Sequence, residues 1–275
     1  MARRGSVAAL FCSGLLACGS SGPGAGTATA GTATGGTATG GSSCTESLSG
    51  LVSFTKEIAP NAGEIVGASF RAQPFSGTVD FGCNAACKFY PIDGGISDAG
   101  PFLDVGTITA TDVTSGAQQA LMDVDAIYFS GALIWTAGDV LQVAGGGGAF
   151  PAFSISLQSS SPLTVTSPPE IAAGGTVLAS QGAGLTVTWQ PASPPATFMT
   201  VGILSSAGQI NCAPADSAGT MTISPSLLAN IPVGTYAPGQ GLTIGRWNTA
   251  VDAFSGKNIG IQVEEFIGVA IQVSP

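Results

Sequence analysis

The 275-residue chain has no histidine and little charge of either sign: seven Lys and Arg, sixteen Asp and Glu, 8% charged residues in all. Without imidazole, a serine or cysteine nucleophile lacks its usual base, and a zinc site lacks its usual nitrogen ligand. Gly-x-Ser-x-Gly does not occur, and no motif sets Lys56, Lys88 or Lys257 beside a serine. Cations this scarce exclude nucleic acid as a partner, because phosphate neutralisation needs Lys and Arg in clusters. Long amphipathic helical patterns are missing too. The glycine run Gly145 to Gly148 has neither the Lys-Ser/Thr of a phosphate loop nor a following helix, and reads as a wide turn into Phe150-Pro151. These absences predict a protein that is not an enzyme and carries no cofactor.

What is present begins with an address. Arg3 and Arg4 precede a short, mostly apolar stretch from Val7 to Ala17, too short to span a bilayer and flanked as signal peptides are. It ends in Leu15-Leu16-Ala17-Cys18, which resembles the bacterial lipobox. The resemblance implies cleavage between Ala17 and Cys18, a diacylglycerol on the Cys18 thiol, and acylation of the new amine. Two or three acyl chains anchor a protein stably to a membrane, where one gives marginal binding. Gly19 stands where Asp would resemble an inner-membrane retention signal, so the expected location is the outer membrane of a bacterial envelope.

Residues 19–43 are Gly, Ser, Thr and Ala with one proline, Pro23, and include three copies of a Gly-Thr-Ala-Thr-Gly/Ala repeat from Gly26 to Gly40. Nothing here can be buried to offset ordering entropy, so the stretch reads as a flexible tether with an r.m.s. span on the order of 27 Å. The expected organisation is a signal peptide over 1–17, the lipidated cysteine and linker over 18–43, a β-rich domain over 44–161 and an immunoglobulin-like β-sandwich over 162–275. Loss of Arg3 and Arg4 with the signal leaves five basic against sixteen acidic residues, a formal charge of −11. Such a body avoids anionic lipid headgroups and leaves anchoring to the acyl chains.

Cys12 leaves with the signal and Cys18 is the lipidation site, so Cys44, Cys83, Cys87 and Cys212 remain. An even set in an oxidising compartment suggests two disulfides with three possible connectivities. The short Cys83-x3-Cys87 spacing favours a local pair, which leaves Cys44 for Cys212.

Short runs with period-two alternation, punctuated by Gly and Pro, read as all-β. In the first half they lie around Val105 to Thr111, Ala126 to Thr136, Val140 to Val143 and Phe153 to Leu157. In the second half Leu185, Val187 and Trp189 share a face, followed by runs at Phe198–Leu204, Met221–Ile223 and Leu242–Trp247. Ile259 to Val263 and Ile267 to Val273 read as a hairpin turning at Glu264-Glu265. Ser224-Pro225 marks one helical turn. This rhythm resembles immunoglobulin or fibronectin-type sandwiches, although the cysteine pair of antibody domains is missing. The segment Ala137-Gly-Asp-Val-Leu-Gln-Val-Ala-Gly-Gly-Gly-Gly-Ala-Phe-Pro-Ala-Phe153 resembles surface lipoproteins of myxobacterial type, which implies family and location rather than activity.

Candidate sites are few. Asp93, Asp98 and Asp104 crowd a glycine-bearing loop and are candidate Ca²⁺ ligands, though their spacing fits no EF-hand. Asp123 with Asp125, and Glu264 with Glu265, are carboxylate pairs of the kind glycoside hydrolysis uses, but two-apart and adjacent positions suit that geometry poorly. Trp247 and Tyr236 are candidates for a sugar-stacking platform. The expected function is a membrane-anchored, non-enzymatic structural or adhesive surface module. Its expected partners are the membrane, through the lipid, and a cell-surface polysaccharide or protein. The alternatives are a carbohydrate- or substrate-binding lipoprotein serving a transporter or enzyme, and a carboxylate-based hydrolase.

Overall fold

The computed structural model describes residues 45–46, 48–59, 63–70, 79–80, 87–91, 101–131, 135–193 and 195–275. The chain is all-β. Its strands are β1 (Thr45–Glu46), β2 (Gly50–Ala59), β3 (Gly63–Phe70), β4 (Val79–Asp80), β5 (Lys88–Pro91), β6 (Ile108–Asp112), β7 (Gln118–Ala120), β8 (Met122–Val124), β9 (Ile127–Ser130), β10 (Val140–Gly145) and β11 (Phe153–Gln158). They continue with β12 (Val165–Ser167), β13 (Thr176–Ser180), β14 (Leu185–Trp189), β15 (Phe198–Leu204), β16 (Gly208–Cys212), β17 (Thr220–Ile223), β18 (Gly234–Tyr236), β19 (Leu242–Phe254) and β20 (Lys257–Ser274). The expected helical turn is present at Pro225–Leu228, where the Ser224 hydroxyl accepts from the Leu227 N–H. Proline supplies the preset φ of a first helical position, and serine satisfies one of the free amides.

The largest sheet runs β5-β16-β15-β19-β20-β2-β3-β9-β8, and β20 is its spine. Along its first two-thirds β20 lies between β19, antiparallel from Phe254↔Lys257 to Leu242↔Val269, and β2, parallel from Gly50↔Ile259 to Ala59↔Ile267. Over its last residues those neighbours give way to β13, parallel, and β18, antiparallel. Both edges of an 18-residue strand are thereby paired, as its buried backbone requires.

Two smaller sheets cover one face of this large one. The sheet β11-β10-β6-β7 covers the part built by β2, β3 and β9, and the sheet β12-β14-β17 covers the part built by β15, β16, β19 and β20. The second pair is an immunoglobulin-like sandwich. Its opening segment splits into β12, antiparallel to β14 in one sheet, and β13, parallel to the final strand in the other.

Strand alternation sends the odd residues of β20 toward the covering sheets. Ile259, Ile261 and Val263 enter one core with Val52, Phe54, Phe70, Ile108, Leu141 and Phe153. Ile267, Val269, Ile271 and Val273 enter a second with Val187, Trp189, Val201, Ile244 and Leu228. Each fully buried side chain of this size contributes roughly 1.5–3 kcal/mol of transfer free energy.

One sequence expectation is corrected here. Glu264 and Glu265 do not turn a hairpin. They lie inside the unbroken β20, both buried. The hairpin is formed instead by β19 and β20, turning at Ser255, with φ 51°, and Gly256, with φ 79°. Adjacent carboxylates suggested a solvated turn, but the β-branched alternation on either side keeps one phase through them and extends the strand.

Candidate functional site

Ala17, Cys18, Cys44, Cys83, Asp93 and Asp98 lie outside the described residues. The other candidates can be placed.

The expected cysteine pairing is corrected. Cys87 is bonded to Cys212, so neither Cys83–Cys87 nor Cys44–Cys212 forms. Strand register is the reason. β5 runs antiparallel to β16 with Asn211 opposite Lys88, which sets Cys212 opposite Cys87 one step further, with Cα atoms 4.0 Å apart. That lies just below the usual Cα separation of bridged cysteines. Proximity in sequence was outweighed by proximity across a sheet.

Asp104 is tied into local structure. Its Oδ1 accepts from the Gly106 N–H at 2.8 Å and from the Tyr128 hydroxyl at 3.0 Å, while that hydroxyl accepts from the Val105 N–H at 2.8 Å. The Gly106 amide first, then Tyr128, hold the Asp104 carboxyl below its ordinary pKa. Burial pushes the Tyr128 phenol up to about 12. Asp123 accepts from the Ala126 N–H across the β8–β9 turn, and Asp125 sits in that turn with φ 55°. The two carboxylates therefore do not share one strand face. Among the described residues, no group of three or more Asp, Glu or Cys could hold a metal ion.

Trp247 is a buried residue, only 3% exposed. Its ring stacks on Phe198, with centroids 5.9 Å apart and planes at 6°, and its indole N–H donates to Thr200 Oγ1 at 3.0 Å. Tyr236 donates its hydroxyl proton to the Pro232 carbonyl at 2.7 Å. That bond, from the last residue of β18 back to backbone four residues upstream, resembles the tyrosine corner of immunoglobulin-type sandwiches. Trp247 stands opposite Glu264 on β20, and Tyr236 opposite Ile271. Seven residues of strand separate those partners, about 23 Å. The two rings do not form one platform.

The structure instead brings together charges that the sequence reading left scattered. Cross-strand register lines up Arg246 on β19, Glu265 on β20, Lys56 on β2 and Glu64 on β3 in one row. The row has alternating sign and lies on the core-facing side of the sheet, between the two cores. Lys56 Nζ is 2.9 Å from Glu64 Oε1, donates to the Trp135 carbonyl at 2.8 Å and sits 5.1 Å from the centre of the Trp135 ring. Arg246 is 1% exposed. Its NH2 lies 3.1 Å from Asp216 Oδ1 and also donates to the Gln190 carbonyl, and its Nε donates to Asp216 at 3.2 Å. Its NH1 donates to the carbonyls of Ser161 at 3.0 Å and Pro162 at 2.6 Å. Asp216 Oδ2 in turn accepts from the N–H groups of Ala192 and Ala196. Glu265 Oε2 accepts from the Leu163 N–H at 3.0 Å. Residues 161–163, which connect the two covering sheets, are thus bonded to the row where they cross it.

Glu264 points to the opposite side of the sheet. A side chain at Gly245 would meet Glu264 Oε1 and Thr200 Oγ1 at 2.7 Å and Trp247 Nε1 at 2.9 Å, so glycine is what lets these three groups gather there. Burial raises the pKa of both carboxyls, Glu264 well above its ordinary value. At Glu265 the Leu163 amide, Lys56 and Arg246 oppose that rise, and Glu64 adds to it. Carboxyls on opposite faces of one strand cannot flank a glycosidic bond, and the Arg246 donors are spent inside the protein. The arrangement is chemically a seam that fixes two cores and their connection. A legible signal existed for it: Arg246 and Glu265 both stand in phase with apolar alternation, where an ionised residue must be paired.

No family model matches the chain, and no curated protein is similar to it. Similar solved structures include Dpr11 IG1 bound to DIP-gamma IG+IG2, at 9% identity, covering 82% of this chain and 96% of that one with a TM-score of 0.19. DIP-gamma IG1+IG2 is another, at 8% identity, covering 82% and 95%, also at 0.19. A TM-score this low carries no argument about the chain, and the immunoglobulin-like reading of the C-terminal sandwich rests on its own topology.

Proposed function

We propose that this protein is a lipid-anchored surface module of a bacterial envelope, non-enzymatic, which holds a two-core β body away from the membrane for structural or adhesive contact with a cell-surface polysaccharide or protein. The observation that carries the reading is the Leu15-Leu16-Ala17-Cys18 segment behind a basic, apolar leader. Two features support it. The Gly/Thr/Ala stretch behind Cys18 has the composition of a flexible spacer. The Cys87–Cys212 disulfide suits an exported protein, since such bonds persist in oxidising compartments.

Acyl labelling and membrane fractionation of a Cys18→Ala variant test the anchor. The variant is expected to lose label and leave the membrane fraction; retention there overturns the anchoring. Binding of the non-acylated variant to whole cells and to a glycan array tests the adhesive part, which falls if neither retains the protein.

A further inference from the structure

The Cys87–Cys212 bond fixes more than its own pair. With Cys12 in the leader and Cys18 at the lipobox, four cysteines belong to the body: Cys44, Cys83, Cys87 and Cys212. Two of the three ways of pairing them give Cys87 or Cys212 a different partner, and the observed bond rules both out. Within the chain, the partner left for Cys44 is Cys83. In an oxidising compartment, thiols within reach of each other are driven to the disulfide.

The register of β1 and β4 puts the two within reach. Thr45 stands opposite Asp80, and Glu46 opposite Val79. Cys44 immediately precedes Thr45, and Cys83 follows Asp80 after Phe81 and Gly82. Paired Cα atoms lie about 4.5–5.5 Å apart across an antiparallel ladder, and three residues of chain reach at most about 11 Å. The Cα separation a disulfide needs, roughly 4.4–6.8 Å, falls inside that reach.

The ladder itself calls for a brace. β1 and β4 have two residues each and, among the described residues, pair with no other strand. Even a full two-stranded hairpin is marginal in water. The next strand along the chain, β5, is also short and lies at a sheet edge, and a disulfide to β16 pins its start. A covalent bond beside β1 and β4 gives their ladder the same support.

We propose that Cys44 and Cys83 form a second disulfide. Its formation takes two protons and two electrons from the two thiols; the acceptor is a protein disulfide of the oxidising compartment, reduced to a dithiol by exchange. Only Asn84, Ala85 and Ala86 separate Cys83 from Cys87. The two bonds therefore stand in series, from Cys44 across to Cys83, along to Cys87, and across to Cys212 on β16 of the large sheet. The Gly/Thr/Ala stretch ends at Cys44. Pull arriving from a membrane anchor thus enters the large sheet through covalent bonds rather than through a two-residue ladder. This mechanical consequence rests on the anchoring reading; the bond needs export alone.

The exported full chain carrying Cys12→Ser and Cys18→Ala keeps the four body cysteines as its only sulfhydryl groups. Denatured without reductant and treated with N-ethylmaleimide, it is expected to take up no label. Cys44→Ser on that background is expected to take one label, at Cys83, and Cys83→Ser one, at Cys44. Elastase cleavage after Ala85 or Ala86, followed by mass spectrometry, is expected to release a Cys44–Cys83 peptide pair separate from the Cys87–Cys212 pair. Pulled by its two ends, Cys44→Ser is expected to unfold to a length roughly 130–140 Å greater than its parent, the contour of the chain between residues 44 and 83. Labels at Cys44 and Cys83 of the parent, a peptide joining either to Cys87 or Cys212, or equal unfolded lengths would each overturn the proposal. None of these readouts depends on whether Cys18 is acylated, so the anchor and the bond stand or fall separately.

Discussion

The two cores hang from the same strand but are built from different material. The C-terminal core is mainly aliphatic: Val187, Val201, Ile203, Ile244, Val269, Ile271 and Val273 surround one buried ring, Trp189, with Phe89 and Tyr236 packed against the margin. The N-terminal core is centred on rings: Phe70 lies 5.1 Å from Phe150, 5.2 Å from Phe153 and 6.3 Å from Tyr128 between centroids. Glycines seat two of these rings. A side chain at Gly50 would come within 2.5 Å of the Phe70 ring, and one at Gly145 within 2.2 Å of the Phe153 ring. Where the strands carry β-branched residues, alternation alone fills the space between sheets. At Gly50 and Gly145 the ring of the residue opposite, Phe70 or Phe153, lies over the gap. The C-terminal sandwich adds a cross-strand disulfide and a tyrosine bonded back to its own backbone, while the N-terminal one gains stability from ring packing.

The two cores are joined most firmly at the seam. Arg246→Met removes the partner of a buried Asp216 and frees the carbonyls of Ser161, Pro162 and Gln190. Leaving one charge of a buried pair uncompensated costs about 3–5 kcal/mol. Because the row also ties down the connection between covering sheets, hydrogen exchange is expected to quicken on β2 and β20 alike; protection lost from β14 and β15 alone would make the seam a feature of one core. Adding Asp216→Asn to the variant is expected to recover part of the loss.

Phe70→Ala and Ile271→Ala act on one core each. Each opens a cavity in one core, at about 3–5 and 2–5 kcal/mol respectively. Since β20 threads both cores, each variant is expected to unfold in one urea transition. Two transitions would mean that the cores melt independently.

The aliphatic core was the more legible in sequence, for a physical reason. Period-two alternation is the signal of a half-buried strand, and the runs at Leu185–Trp189, Phe198–Leu204 and Ile267–Val273 show it plainly. Packing that relies on a ring over a distant glycine leaves no local pattern, so the partnership of Phe70 with Gly50 is invisible until the strands are paired. Long-range register likewise decided Cys87–Cys212 and the charged row. The phase of β20 was in the sequence all along: Ile259 to Val273 keeps odd positions apolar except at Glu265, and one buried, paired glutamate accounts for that better than a turn.

A smaller effect concerns pH. Glu264 and Glu265 have raised pKa values in the folded protein, mainly through burial. A carboxyl raised on folding contributes stability that is fully present below its unfolded value and is lost as pH rises through the folded one. Thermal midpoints are therefore expected to rise, from these two groups, as pH falls from neutral toward the ordinary carboxylate range. Exposed Asp104, with its pKa lowered, works in the opposite sense only below that range. Glu264→Gln, which cannot ionise, is expected to raise the midpoint at neutral pH and to flatten this slope, with each kcal/mol worth roughly 2–4 °C in a chain of this size. An unchanged slope would mean that Glu264 ionises freely in the fold.

The least costly change bears on the aliphatic sandwich and on a residue that looked like a ligand contact. Tyr236→Phe keeps the ring, which packs against the C-terminal core, and deletes only the hydroxyl that donates to the Pro232 carbonyl. The lost bond is worth about 0.5–1.5 kcal/mol, and the low end applies because the bond is exposed to water. If the tyrosine is a corner, the loss shows as a lowered urea midpoint with faster exchange of the amides of β18 and the start of β19, and binding to any glycan or cell surface is unaffected at equal folded concentration. If it is a stacking contact, phenylalanine preserves the apolar face, so stability and the exchange pattern stay as they were, and only Tyr236→Ala reduces binding. The two outcomes separate a brace from a binding site at one residue. The corner is expected because the hydroxyl points to its own backbone, and because the ring that would complete a platform, Trp247, is stacked on Phe198 beneath the surface.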